Sequence, residues 1–141
     1  MRVMGKVGFA VAAGALAVGS VVGAGSADAA GQYAAIAVSN STLYYGVSVD
    51  TANYDEAKGV ALDQCGEADC EVLVAWANGC GALVASDDGY AARSGPNRAE
   101  AERAAYELIS QITPTAVLAN TGSAQLSGAR IVEVVCTSNA R

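Results

Sequence analysis

Four cysteines and a scatter of carboxylates are the groups in this chain with chemistry to offer, and histidine is absent. Without imidazole, Ser-His-Asp and Cys-His catalysis drop out, as does every His-ligated metal site. Cys65, Cys70, Cys80 and Cys136 form an even set, and the first three are spaced by four and nine intervening residues. Neither gap makes a C-x-x-C redox pair or a zinc-ribbon spacing. Paired thiols acting as structural staples are the better reading.

The carboxylates gather in two places. Glu67, Asp69 and Glu71 surround the Cys65/Cys70 pair, and Asp87-Asp88 stands before Gly89. A glycosidase needs two carboxylates at a defined separation across a cleft. These fall on predicted turns, where Asp is favoured because its side chain bonds nearby backbone. A weak calcium site at either cluster would lack the EF-hand loop pattern. No Gly-rich phosphate loop follows a strand and opens a helix. Lys58 is the one lysine downstream of residue 6 and falls on the exposed side of a predicted helix, so a Ser-Lys dyad is unsupported. The expectation is therefore a non-enzyme with no catalytic residue, no cofactor and no metal. A carboxylate-dependent hydrolase is the alternative. Among the aromatics, Trp76 shares strand parity with Val72 and Val74, and Tyr45 with Leu43 and Val47, which predicts core positions. Tyr54 and Tyr90 are also read mainly as core. Tyr44 points the other way. With Val117 and Leu118 it forms the candidate partner-binding set.

The elements that position these groups begin after a leader. Arg2 and Lys6 precede an uncharged run from residue 7 to residue 22, and Ala27-Asp28-Ala29 places small residues where a signal peptidase reads. Residues 1–29 are predicted to be a secretory signal cleaved after Ala29, and residues 30–141 a single exported domain. Removing the leader takes away two basic residues and one acidic residue, so the formal charge moves from −6 to −7. Such a balance disfavours duplex nucleic acid and anionic lipid. No stable membrane insertion is expected after cleavage, and the partner class left is a protein or envelope component.

The exported part reads as one unit written twice, at about residues 33–76 and 81–136. Asn53 and Asn97 each open an N-x-x-E capping-box pattern. Behind them Ala57, Val60, Ala61 and Cys65 correspond to Ala101, Ala104, Ala105 and Ile109, the stripe of a helix with one buried face. A hairpin precedes each helix, from strands 33–38 and 43–49 and from strands 82–85 and 90–93, the second pair joined through Asp-Gly. A strand follows each helix, at 71–76 and 130–135. The fold class is α+β: a duplicated β-β-α-β unit, mostly antiparallel, with two helices and two disulfides. The copies differ after the helix, where the first needs only residues 66–69 and the second residues 111–128. That segment is a candidate functional loop, or a surface insertion with 115–119 as an edge strand.

Four cysteines allow three connectivities. Cys65 and Cys70 are both missing from the corresponding places of the second copy, which predicts that they bond to each other and that Cys80 bonds to Cys136.

Tyr33-Ala34-Ala35-Ile36-Ala37, Cys65-Gly66-Glu67-Ala68-Asp69-Cys70, Cys80-Gly81-Ala82-Leu83-Val84 and the closing Arg130-Ile131-Val132 to Cys136 together resemble the domain-of-unknown-function family 4189. The chain departs from it at Ala34, where the family usually has Gly, and at Val134-Val135, where an aromatic is common. The resemblance implies a small exported bacterial protein of a kind well represented among mycobacteria and other actinomycetes. It also implies a disulfide-stapled domain, and it implies no catalytic residues. The function expected is a secreted binding module acting at the envelope or on a host. An inhibitor of an extracellular enzyme is the runner-up.

Overall fold

Two asparagines start the two helices. Asn53 Oδ1 accepts from Glu56 N at 2.8 Å, and Asn97 Oδ1 accepts from Glu100 N at 3.0 Å. Each satisfies one of the donors that a helix start leaves open. The return half of the expected capping box differs. Glu56 accepts from Ala52 N at 3.0 Å rather than from Asn53, and the Glu100 carboxylate instead pairs with Arg103. The computed structural model describes residues 31–116 and 128–141. The predicted leader, Val117 and Leu118 lie outside them.

The order is β1 (Tyr33–Ser39), β2 (Tyr45–Thr51), α1 (Tyr54–Cys65), β3 (Cys70–Ala77), β4 (Cys80–Ser86), β5 (Gly89–Gly95), α2 (Arg98–Ile109) and β6 (Ala129–Cys136). Each β-β-α-β unit makes its own three-stranded antiparallel sheet, ordered β2-β1-β3 in the first and β5-β4-β6 in the second. The first strand of each unit is central because both neighbours pair with it.

Three cores separate four layers. Ala35 and Ala37 of the first sheet pack on Ala57, Ala61 and Cys65 of α1. Ala82, Val84 and Ala91 of the second sheet pack on Ala101, Ala105, Tyr106 and Ile109 of α2. Between the sheets lie Ala34, Ile36, Val38 and Trp76 from one side and Leu83 and Ala92 from the other. The order α1, sheet, sheet, α2 follows from the period-two alternation of the central strands. One parity of β1 and β4 faces a helix, and the other faces the opposite sheet. Alanine on the helix side lets each helix sit close. At Gly46 the approach is closer still, for a Cβ there would stand 2.8 Å from Gln64 Cβ and nearer to the Ala61 carbonyl.

The duplication extends to an irregularity. β3 carries one extra residue against β1, where Ile36 pairs with Val74 but Ala37 with Val72. β6 does the same against β4, where Leu83 pairs with Glu133 but Val84 with Ile131. Leu73 and Val132 are thus equivalent bulge residues, and both join the inter-sheet core. The bulge corrects the parity expected for β3. Val72 faces α1 while Val74 and Trp76 face the second sheet, because the extra residue flips every side chain beyond it.

Two further expectations are corrected. The second strand begins at Tyr45 rather than at residue 43, because Leu43 takes a left-handed backbone (φ 63°) inside the β1–β2 turn. Residues 114–116 form a 3-10 turn rather than the start of an edge strand, with Ala116 buried against the α2 core.

The disulfides are Cys65–Cys70, across the α1–β3 connection, and Cys80–Cys136, across neighbouring strands of the second sheet. Among the described residues, no cysteine is free. At the end of the sandwich away from the hairpin turns, polar groups close the structure. Gln32 N donates to Asn78 Oδ1 at 3.1 Å, Asn139 Nδ2 to the same oxygen at 2.7 Å, and Ser138 N to Asp50 Oδ1 at 2.8 Å.

Candidate functional site

Both hairpin turns lie at one end of the sandwich, and each is organised by a serine that ends the central strand. Ser39 is fully buried. Its hydroxyl donates to Asp69 Oδ1 at 2.7 Å and accepts from Thr42 N at 3.2 Å. Ser41 N donates to Asp69 Oδ2 at 2.8 Å. Asp69 therefore holds the turn from outside it, carried there by its neighbour Cys70 and the bridge to α1. The Ser39 hydroxyl and then the Ser41 donors hold its carboxyl below the usual carboxylate range. The result is a turn locked around Leu43 and Tyr44, which stay 53% and 63% exposed.

The second turn is pinned in a parallel way. Ser86 Oγ and Thr113 Oγ1 lie 2.8 Å apart, Asp88 N donates to Ser86 Oγ at 3.2 Å, and Thr113 Oγ1 donates to Asp88 Oδ2 at 3.0 Å. These bonds tie the segment after α2 to the β4–β5 turn. Ile112 is held beside Gly89 and left 51% exposed.

Between the turns a cavity of about 110 Å3 opens into the inter-sheet layer. Val38, Leu83, Ala85 and Val132 form its apolar walls, and Leu43, Tyr90 and Arg130 complete the lining. The Tyr90 hydroxyl donates to Asn40 Oδ1 and so joins the two turns. Burial first, then Glu71 and Asp69, push its phenol pKa up, which keeps it a neutral donor. Its counterpart in the first repeat, Tyr45, donates instead to Glu133 Oε2 at 3.2 Å across the sheets. Tyr45 and Tyr90 occupy the same register place in β2 and β5, opposite Val38 and Ala85. A second depression of about 220 Å3, beside α2, has Arg93, Glu107 and Gln111 in its lining and little apolar wall.

Of the residues singled out in the sequence, Tyr44, Asp69, Glu71, Asp87 and Asp88 come together at the hairpin end. Asp69 is engaged by the β1–β2 turn and Asp88 by Thr113 after α2. Among the described residues, no group of three metal-ligating side chains forms. Trp76 is buried in the inter-sheet core and Tyr45 packs half-buried against it, the core positions expected, although Val72 and Leu43 do not share their face. Tyr54 lies away from the cavity, its ring edge-on to Tyr33 at 4.6 Å. The cavity residues Leu43, Tyr90 and Arg130 were missed as a set. Leu43 read as a strand core residue, and the three meet only when the two sheets stack. The available signal was the twin arrangement of a serine ending each central strand before a turn.

This arrangement can seat an apolar group. Among the described residues its lining holds no Ser, Thr, Cys, Lys or carboxylate side chain. No curated protein and no solved structure matches the chain. The model of the family described as Domain of unknown function (DUF4189) matches residues 33–130, a span that takes in the first repeat whole and the second up to the start of its last strand. With well over half of its length matched, the chain belongs to that family.

Proposed function

We propose that this is an exported, non-catalytic binding domain that engages a protein or envelope component through its hairpin end. The observation that carries the reading is the open apolar cavity lined by exposed Leu43, on the same β1–β2 turn that leaves Tyr44 exposed. Apolar side chains held outward by hydrogen-bonded turns, next to an open apolar recess, are the usual marks of a contact surface. The absence of histidine and the engagement of all four cysteines in disulfides support a non-catalytic role. Export is supported by the leader pattern of residues 1–29 and by the disulfides, which persist in oxidising compartments. Among the described residues no helix is long and apolar enough to cross a membrane.

The test uses the exported chain as bait on envelope and host extracts, with Leu43→Asn beside wild type. Asn suits the left-handed backbone there, so the fold stays intact while the apolar rim is lost. Partners retained by wild type and lost by the variant support the reading; identical retention by both sinks it. A second reading, inhibition of an extracellular enzyme, is favoured by the rigid β1–β2 turn that presents Leu43 and Tyr44 as an insertable element. Dose-dependent inhibition of a lysozyme or protease, lost in Leu43→Asn, would support it.

A further inference from the structure

Resting on that reading of the hairpin end, we infer that its occupant is a cationic peptide segment that seats one apolar side chain in the cavity. The size of the recess sets the anchor. An apolar cavity of about 150 Å3 holds a benzene ring, so one of about 110 Å3 suits a single branched aliphatic side chain. Because the recess is open, that side chain enters from a chain lying across the rim.

Charge sets the flanks. Glu71 pairs across strands with Val38, which lines the cavity, and Asp69 braces the β1–β2 turn beside it. Asp87 stands in the β4–β5 turn just before the strand that carries Tyr90, while Asp88 beside it is taken up by Thr113. Among the described residues the lining itself holds one cation, Arg130, and no carboxylate, so the negative charge sits around the cavity and not in it. Among the described residues the other basic groups lie elsewhere. Arg98 and Arg103 are paired with glutamates along α2, Lys58 is on α1, Arg93 lines the depression beside α2, and Arg141 ends the chain beyond β6. Burial first, and then Glu71 and Asp69, raise the phenol of Tyr90 in that wall, in keeping with their placement beside it. Apolar walls inside an acidic rim select a ligand with an apolar anchor and positive flanks, and they repel acidic competitors.

The experiment titrates the isotope-labelled exported chain with three capped heptapeptides: Lys-Lys-Ala-Leu-Ala-Lys-Lys, its Glu counterpart, and a Gly/Ser-flanked neutral one. Amide shifts are followed at low and at moderate salt. The lysine peptide should move Leu43, Tyr90 and Val132 and bind at least about tenfold tighter than the acidic one at low salt, the ratio shrinking as salt screens the rim. Glu71→Gln with Asp87→Asn spares the two turn-holding aspartates and should weaken the lysine peptide roughly three- to tenfold. Equal affinity for all three peptides at both salts would overturn the cationic specificity and leave the apolar contact surface standing. If isobutanol shifts the cavity amides but no peptide does, the peptide inference fails alone. If neither isobutanol nor any peptide moves them, the inference and the contact-surface reading fall together.

Discussion

Gly81→Ala tests the packing between the sheets more sharply than any other single change. Gly81 lies on β4 with its missing side chain aimed at Trp76 of β3. An added Cβ would stand 2.8 Å from Trp76 Cε3 and closer to the far edge of the ring. The indole cannot simply swing aside. It is 5% exposed, and its Nε1 donates to the Gly79 carbonyl at 3.0 Å. Overpacking of this kind costs about 1–3 kcal/mol, and a strained or broken indole hydrogen bond adds about 1 kcal/mol. A loss of roughly 2–4 kcal/mol should lower the melting temperature of a domain this size by roughly 8–20 °C. Trp76 is the only tryptophan, so its fluorescence reports on the site itself while the chain unfolds. Trp76→Leu makes the clash disappear. In that background Gly81→Ala should be neutral or slightly stabilising by circular dichroism, since Ala suits a strand better than Gly. A Gly81→Ala protein that melts within about 2 °C of wild type, with unchanged emission, would refute the proposed fit of ring over glycine. The matching place in the first repeat holds Ala34, in the same core as Val135, which stands where the second repeat lacks a tryptophan. The large–small pairing is thus distributed differently in the two halves.

The two disulfides should differ in weight. By chain entropy the bond closing five residues stabilises by about 2 kcal/mol and the bond closing fifty-six by about 4 kcal/mol, so Cys80→Ala with Cys136→Ala should melt well below Cys65→Ala with Cys70→Ala in calorimetry. Asp69 has a lowered carboxyl pKa in the folded chain, so its contribution is complete above the unfolded value of about 3.9 and is lost as pH falls through the lower folded value. Asp69→Asn should therefore melt below wild type at neutral pH, the gap narrowing as pH falls below about 4; an unchanged gap in acid would show that the anion is not what braces the turn. Asn53→Ala and Asn97→Ala should each cost about 1 kcal/mol, read as faster amide exchange in the first turn of α1 or α2.

What could be seen in the one-dimensional chain was whatever short-range chemistry encodes. Asn53 and Asn97 announced the helix starts because a cap needs only its own first turn. Asp87, Asp88 and Gly89 announced a hairpin because turn conformation depends on adjacent residues. The cysteine pairing followed from comparing the two copies, and the fold class from their shared order of elements. Tertiary structure decided the rest. The alternation breaks at Leu73, against the parity read for Val72, and likewise at Val132, because a bulge is a property of two paired strands and leaves little mark on either alone. Whether six strands make one sheet or two depends on which faces find apolar cover, and here each repeat closes its own sheet and spends its second face on the other. The cavity exists only after that stacking. Val38, Leu83, Tyr90 and Arg130 sit on four different strands, and no local preference brings them together. The sequence alone determined the elements and their staples, since those rest on neighbours along the chain. The contact surface was decided by how the two halves pack, since it rests on neighbours across space.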